Sequence, residues 1–159
     1  MLFSVIGYYS LILGLCFGLI LIYFSIKNFR NSKLLNTKIL SFTFLQFFFV
    51  IISFLCLIFS FVFSDFSNET VFNNSHTTKP LFYKIAGTWG NHEGSLLLWL
   101  FVLTLFILIF LLRSKNQPTK YKILTLVFQQ IIIIGFFIFL IKTSNPFNYL
   151  YPAPEEGLG

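Results

Sequence analysis

Only 10% of the 159 residues are charged, whereas about 25% are charged in an average soluble domain. So few charges cannot solvate an ordinary globular surface, and their scarcity excludes a disordered chain and a nucleic-acid-binding module. Two cysteines are too few for a secreted domain held together by disulfides. In contrast, 57% of the residues are hydrophobic and 24 are Phe. This composition predicts an integral membrane protein.

The two cysteines, Cys16 and Cys56, each lie inside a long apolar run. Neither has a second Cys or a His at the spacing of metal ligands, which argues against metal binding and redox chemistry. We therefore expect both to act as small apolar packing residues.

Four long stretches contain no Asp, Glu, Lys, Arg or His. They cover residues 2–26, 39–64, 94–112 and 123–141. A helix needs about 20 apolar residues to cross the hydrocarbon layer, and its backbone groups must be paired internally there. The stretches lack the alternation of a membrane-spanning strand. They predict an all-α fold with four transmembrane helices.

The basic residues are confined mainly to two connecting segments, 27–38 and 113–122, which contain no acid. These residues are Lys27, Arg30, Lys33, Lys38, Arg113, Lys115, Lys120 and Lys122. Basic loops tend to stay on the cytoplasmic or matrix side of the membrane. We therefore expect a transmembrane region at 1–141, with its N-terminus and its loop 65–93 on the outer side. The tail, 142–159, would lie on the same outer side.

The loop 65–93 changes character at Pro80. Its first part, 65–79, is polar and predicts a flexible surface loop in which His76 is simply solvated. The second part suits the membrane–water interface, because Tyr83 and Trp89 are aromatic residues with a polar group. We expect a short interfacial helix around Phe82, Tyr83 and Ile85.

The third transmembrane helix begins with a polar segment that admits two interpretations. Asn91 is a suitable N-cap, and Glu93 in the first turn would favour the helix dipole. Alternatively, His92 and Glu93 form a polar pair at the mouth of a cavity, where His could ligate haem iron or relay a proton. The structural interpretation is favoured on chemistry alone.

Residues 89–99 resemble the W-G-x-H-E-G-S-x-L-L-W signature of the CcmF family, the haem lyase subunit of cytochrome c maturation. The matching residues are Trp89, Gly90, His92, Glu93, Gly94, Ser95, Leu97, Leu98 and Trp99. A second segment resembles the T-S-N-P-F…P…E-G segment that follows the family's fourth span. Its matching residues are Thr143, Ser144, Asn145, Pro146, Phe147, Pro152, Pro154, Glu156 and Gly157.

The resemblance implies a role in the covalent attachment of haem to apocytochrome c, with haem as cofactor of the assembled complex. In the family, later spans hold the tryptophan-rich domain and the axial histidines. This sequence stops at Gly159, so we expect the N-terminal part of a lyase, as a split-gene product or a partial chain. No haem ligand or catalytic residue can be assigned to it. Its partners would be the remaining lyase chains, other cytochrome c maturation proteins and the lipid bilayer.

Two other functions remain open. The chain could be a structural scaffold in a large respiratory membrane complex, without lyase activity. A small transporter or channel is less favoured, because the spans hold no charge and few polar residues such as Gln46, Gln129 and Gln130. Abundant Phe, Ile, Asn and Lys indicate an AT-rich genome. This favours the mitochondrial inner membrane, with a bacterial plasma membrane as the alternative.

Gly14 and Gly18 form a G-x-x-x-G spacing in the first span. Small residues at this spacing allow the backbones of neighbouring helices to approach closely. We expect the first helix to pack tightly through this face, either within the chain or against the rest of the lyase.

Overall fold

The computed structural model describes residues 1–27, 29, 35–114 and 116–159. The described residues form six helices: α1 (Leu2–Lys27), α2 (Leu35–Val62), α3 (Glu69–Asn74), α4 (Leu81–Gly87), α5 (His92–Arg113) and α6 (Thr119–Lys142). Four of these, α1, α2, α5 and α6, are long and apolar enough to cross a membrane. This confirms the prediction of an all-α fold with four such helices. Three of them, α2, α5 and α6, begin two to four residues before their apolar runs, because helical hydrogen bonds continue into the polar flanks. The helix α2 ends at Val62, two residues before its run does.

The four long helices form a bundle in which α1 packs against α2 and α6, and α5 packs against the same two helices. The short helix α4 contacts α2. Three of the predicted basic loop residues, Arg30, Lys33 and Lys115, lie outside the described residues.

The centre of the bundle consists mainly of Leu and Ile side chains from all four long helices. Its fully buried members include Leu11, Leu57, Leu100, Ile107 and Ile133. Many Phe side chains lie instead on the outside of the bundle, where lipid is as favourable an environment as the core. Rings such as those of Phe44, Phe106 and Phe128 are more than half exposed in the isolated chain.

The glycine face of α1 is packed within the chain, as predicted. A Cβ atom at Gly14 would lie 2.9 Å from the ring of Phe137 on α6. A Cβ atom at Gly18 would lie 2.6 Å from the side-chain nitrogens of both Gln46 and Gln130. A side chain at either position would meet these groups, so that the facing side chains or α1 itself would have to shift.

The cysteines differ from each other. Cys56 is buried in the apolar core, as expected. Cys16 lies exposed on the surface of α1, so the expected role as a small apolar packing residue is not confirmed for it within this chain. Its position on the helix turns it away from the core.

The prediction of a flexible loop at 65–79 is also wrong. This segment contains α3, and Asn68, Val71 and Ser75 within it are fully buried. The side chain of Asn68 caps α3 by accepting a hydrogen bond from the Val71 backbone at 3.1 Å. Capping and burial together order a segment whose composition is otherwise typical of a loop.

Candidate functional site

Both sequence motifs lie at one end of the bundle, where α1 and α5 begin and α2 and α6 end. We call this the motif end. Asn91 caps α5, because its side-chain oxygen accepts a hydrogen bond from the Gly94 backbone at 2.7 Å. Glu93 lies in the first turn of α5. Both features confirm the predicted N-cap and the predicted place of Glu93 in the first turn.

The small residues of the first motif hold the preceding turn against the start of α5. A Cβ atom at Gly94 would lie 1.6 Å from the Thr88 carbonyl oxygen, so no larger residue fits without movement of the backbone. The Ser95 hydroxyl donates to the Trp89 carbonyl at 2.6 Å. At Gly90, in contrast, a Cβ atom would make only an ordinary contact, at 3.4 Å from the Ala86 carbonyl oxygen.

The two motifs meet through His92 and Ser144. The Ser144 hydroxyl lies 3.3 Å from Nδ1 of His92, and the ring tautomer decides which of the two donates. Ser144 is buried, whereas His92 is exposed at the surface. This hydrogen bond joins the start of α5 to the tail that follows α6.

Asn68 is the centre of the tail's attachment to the bundle. Its side-chain nitrogen donates to the Ser4 hydroxyl at 3.0 Å and to the Pro146 carbonyl at 2.9 Å. Two backbone bonds lie beside it, from Glu69 to the Asn148 carbonyl and from Leu150 to the Ser67 carbonyl. Asn68 thus connects α1, α3 and the second motif.

Glu156 and Gly157 of the second motif fasten the far part of the tail. The Glu156 carboxylate accepts hydrogen bonds from the Thr77 hydroxyl at 2.6 Å and from the Thr77 backbone at 2.9 Å. The bond from the Thr77 hydroxyl is the main reason why the pKa of Glu156 falls to about 2. A Cβ atom at Gly157 would lie 1.9 Å from the Ser75 carbonyl oxygen.

The aromatic residues of the first motif do not join this cluster. The exposed fractions of Trp89 and Trp99 are 40% and 60%. Trp99 lies well inside α5 and Trp89 just before it. They are available to lipid or to another chain.

A polar cavity of about 230 Å³ lies between α3, the start of α5 and the tail. Glu69, Glu93, Thr143, Ser144 and Asn145 contribute to its wall. A second cavity of about 600 Å³ lies beside α1, and its lining includes Ser4, Tyr8, Tyr9, Phe147 and Tyr149. The second motif therefore borders both cavities.

Haem, the cofactor implied by the resemblance, requires an axial ligand. The only histidines of the chain are His76 and His92, and neither lines either cavity. In the part of the chain that the structure describes, no three His, Cys, Asp or Glu side chains form a group that could hold a metal ion. No histidine is therefore placed to ligate haem in either cavity, and no step on haem is assigned to the residues of this chain.

Sequence reasoning missed Asn68, Thr77 and Gly7, which hold the tail in place. A Cβ atom at Gly7 would lie 2.3 Å from the ring of Phe147, so this glycine makes room for the second motif. One signal was available for Asn68, since an Asn followed by Glu69 is a common start of a helix. Nothing in the sequence indicates the distant partners of these residues.

Comparison with known proteins finds relatives that are cytochrome c-type biogenesis proteins. The chain is 50% identical over 101 residues to the cytochrome c-type biogenesis protein CycK of Rhizobium meliloti. These aligned residues make up 64% of this chain and 15% of that protein. The chain is 38% identical over 104 residues to the cytochrome c-type biogenesis protein CcmF of Escherichia coli, or 65% of this chain and 16% of that protein. No protein-family model matches the chain.

The fold is that of a solved structure, a cytochrome c haem lyase CcmF. The two superpose with a TM-score of 0.85 at 24% sequence identity, over 94% of this chain and 25% of that one. The chain thus spans 15–16% of the length of the curated relatives described above. It is a membrane protein with the fold of part of CcmF.

Proposed function

We propose that this chain is a member of the CcmF family and forms the N-terminal part of a haem lyase. It corresponds to a small part of its relatives' length. The lyase would attach haem covalently to apocytochrome c. The observation that carries the proposal is the identity of 38–50% with cytochrome c-type biogenesis proteins over at least 101 residues.

In this proposal the chain is a scaffold and does not catalyse alone. Its motif residues hold backbone segments together: Gly94 and Ser95 fix the start of α5, and Ser144 ties the tail to His92. The chemistry on haem belongs to partner chains that carry the tryptophan-rich domain and the haem-ligating histidines. Other cytochrome c maturation proteins would complete the assembly.

The motif end would lie on the outer side of the membrane, where it can face apocytochrome c. Support comes from the charges at the opposite end, where the terminal turns of the long helices contain Lys27, Lys38, Arg113 and Lys122. The membrane would be the mitochondrial inner membrane or, as in the named relatives, that of a bacterium.

This orientation can be tested by cysteine labelling after both native cysteines are replaced with Ser. We expect Tyr151→Cys, at an exposed position of the tail, to react with a membrane-impermeant maleimide from the outer side. Asn116→Cys, at an exposed position between α5 and α6, should react only after permeabilisation. The reverse pattern would refute the orientation.

The function can be tested by depleting the chain and staining membrane proteins for covalently bound haem. We expect c-type cytochromes to lose their haem while b-type haem, which needs no covalent attachment, persists. Unchanged c-type cytochromes would refute the lyase role. Copurification identifies the assembly: a chain with the tryptophan-rich domain supports the proposal, whereas stoichiometric recovery in a respiratory complex alone supports the scaffold alternative.

The contribution of the motif contact can be tested separately with Ser144→Ala, which removes the partner of His92. We expect a lower yield of holocytochrome c with normal amounts of the chain, because the tail is no longer tied to α5. Thr143→Val is the matched control, since Thr143 is exposed and next in sequence. An equal effect of both variants would contradict a specific role of Ser144.

A further inference from the structure

Two glutamine side chains are buried in the middle of the bundle. Gln46 on α2 and Gln130 on α6 are both fully buried. Within the described residues, neither amide nitrogen nor amide oxygen of either side chain has a hydrogen-bond partner. Water cannot reach such a position from the lipid, so unpaired amides there are strongly unfavourable.

The two amides approach each other over Gly18. Both side-chain nitrogens lie 2.6 Å from the same point, the position that a Cβ atom of Gly18 would occupy. They are therefore separated by no more than twice that distance. Since α1 packs against both α2 and α6, a side chain at position 18 would enter the space where the two amides meet.

The three residues also lie at the same depth in the bundle. Gly18 is nine residues before Lys27, Gln46 is eight residues after Lys38 and Gln130 is eight residues after Lys122. At a rise of 1.5 Å per residue, they lie roughly 12–14 Å from the basic end of the bundle. This depth is well inside a hydrocarbon layer of about 30 Å.

Two converging NH₂ groups cannot bond to each other, but an amide has an oxygen of nearly the same size on its other side. A rotation of one amide by 180° exchanges its nitrogen and oxygen and places an acceptor against the other donor. We propose that Gln46 and Gln130 form an amide–amide hydrogen bond across Gly18 that locks α1, α2 and α6 together inside the membrane.

The lock complements two polar contacts between other helix pairs. The Ser53 hydroxyl on α2 donates to the Gly7 carbonyl on α1 at 3.1 Å. The Gln129 amide on α6 donates to the Leu103 carbonyl on α5 at 3.2 Å. The proposed bond joins α2 to α6, which both pack against α1, and so sets the positions of three helices with one contact.

A double-mutant cycle tests the lock. Gln46→Leu or Gln130→Leu leaves the other amide buried without a partner, whereas the double variant removes both polar groups. We expect each single variant to be destabilised and the double variant to recover most of the loss. The measured quantity is the rate at which the buried thiol of Cys56 is labelled while native membranes that contain the whole assembly are heated. The exposed Cys16 is replaced with Ser in every variant, so that only Cys56 reacts.

In the single variants, Cys56 should react about tenfold faster than in the parent chain, as expected for one unpaired buried amide. Gln129→Leu is the matched control, because it removes a neighbouring glutamine that has a different partner. Its effect should simply add to that of Gln46→Leu. Additive effects of Gln46→Leu and Gln130→Leu would overturn the proposal.

The single variants could fail to accumulate in the membrane. In that case the double variant decides, since it contains no unpaired amide and should accumulate and protect Cys56. Failure of the double variant as well would overturn the proposal. Because these measurements follow folding and not haem attachment, they stand independently of the proposed lyase function.

Discussion

Replacing Asn68 with Asp tests how the tail is held at the motif end. Asn and Asp have the same shape, and both can cap α3 through a side-chain oxygen. Asp, however, cannot donate the bond that the Asn68 amide nitrogen makes to the Pro146 carbonyl. The Ser4 hydroxyl, which accepts from Asn68, can rotate and donate to Asp instead, so that contact is kept. A carboxylate oxygen would instead face the Pro146 carbonyl oxygen.

The size of the effect follows from these contacts. One lost bond in a buried position costs about 1–3 kcal/mol, and the bond to the Pro146 carbonyl is the one lost here. The loss falls on the attachment of the tail, because the long helices keep their own hydrogen bonds. Even about 2 kcal/mol changes an equilibrium by a factor of roughly 30.

Limited proteolysis of the tail in intact membranes measures this equilibrium. We expect Asn68→Asp to raise the cleavage rate of the tail by about 30-fold, while the membrane-spanning part stays protected. Asn73→Asp is the matched control, because Asn73 is exposed and belongs to the same helix. Equal cleavage of the two variants would refute the reasoning.

Two further predictions concern the motif glycine and the tail carboxylate. Gly94→Ala should reduce the free energy of unfolding by about 1–3 kcal/mol, because its Cβ atom would meet the Thr88 carbonyl oxygen. Gly90→Ala is the control and should be tolerated, and thermal unfolding in detergent compares the two variants. The pKa of Glu156 is lowered from 4.5 to about 2, so its contribution to tail attachment is complete above pH 4.5 and lost as the pH falls towards 2. A spin label on the tail should become mobile as the pH falls through this range, both in the parent chain and in the control Glu155→Gln. In Glu156→Gln the label should already be mobile at neutral pH. Label mobility that does not change with pH in the parent chain would contradict this.

The membrane-spanning helices could be predicted from the sequence because each depends on local composition. A long run of apolar residues leaves the backbone no partner except itself in lipid, which makes a helix the necessary result. The start of α5 was predictable for a similar reason, since the Asn91 cap bonds to Gly94, three residues away.

The motif end could not be predicted, because its contacts are distant in sequence. Asn68 bonds to Ser4 and Pro146, 64 and 78 residues away, and no local pattern encodes such pairs. The polar composition around Asn68 is the same as that of a solvated loop. Only the fold reveals that α3 and the tail bury one another's polar groups.

The face of α1 explains how the bundle and the motif end are connected. Gly7, Gly14 and Gly18 are spaced by seven and four residues, which places them on one side of the helix. This side receives the ring of Phe147 from the tail, then the ring of Phe137, and then the amides of the two buried glutamines. The tail and the core of α6 therefore rest on the same glycine face. The position of the second motif depends on this face of α1 as much as on the motif's own residues.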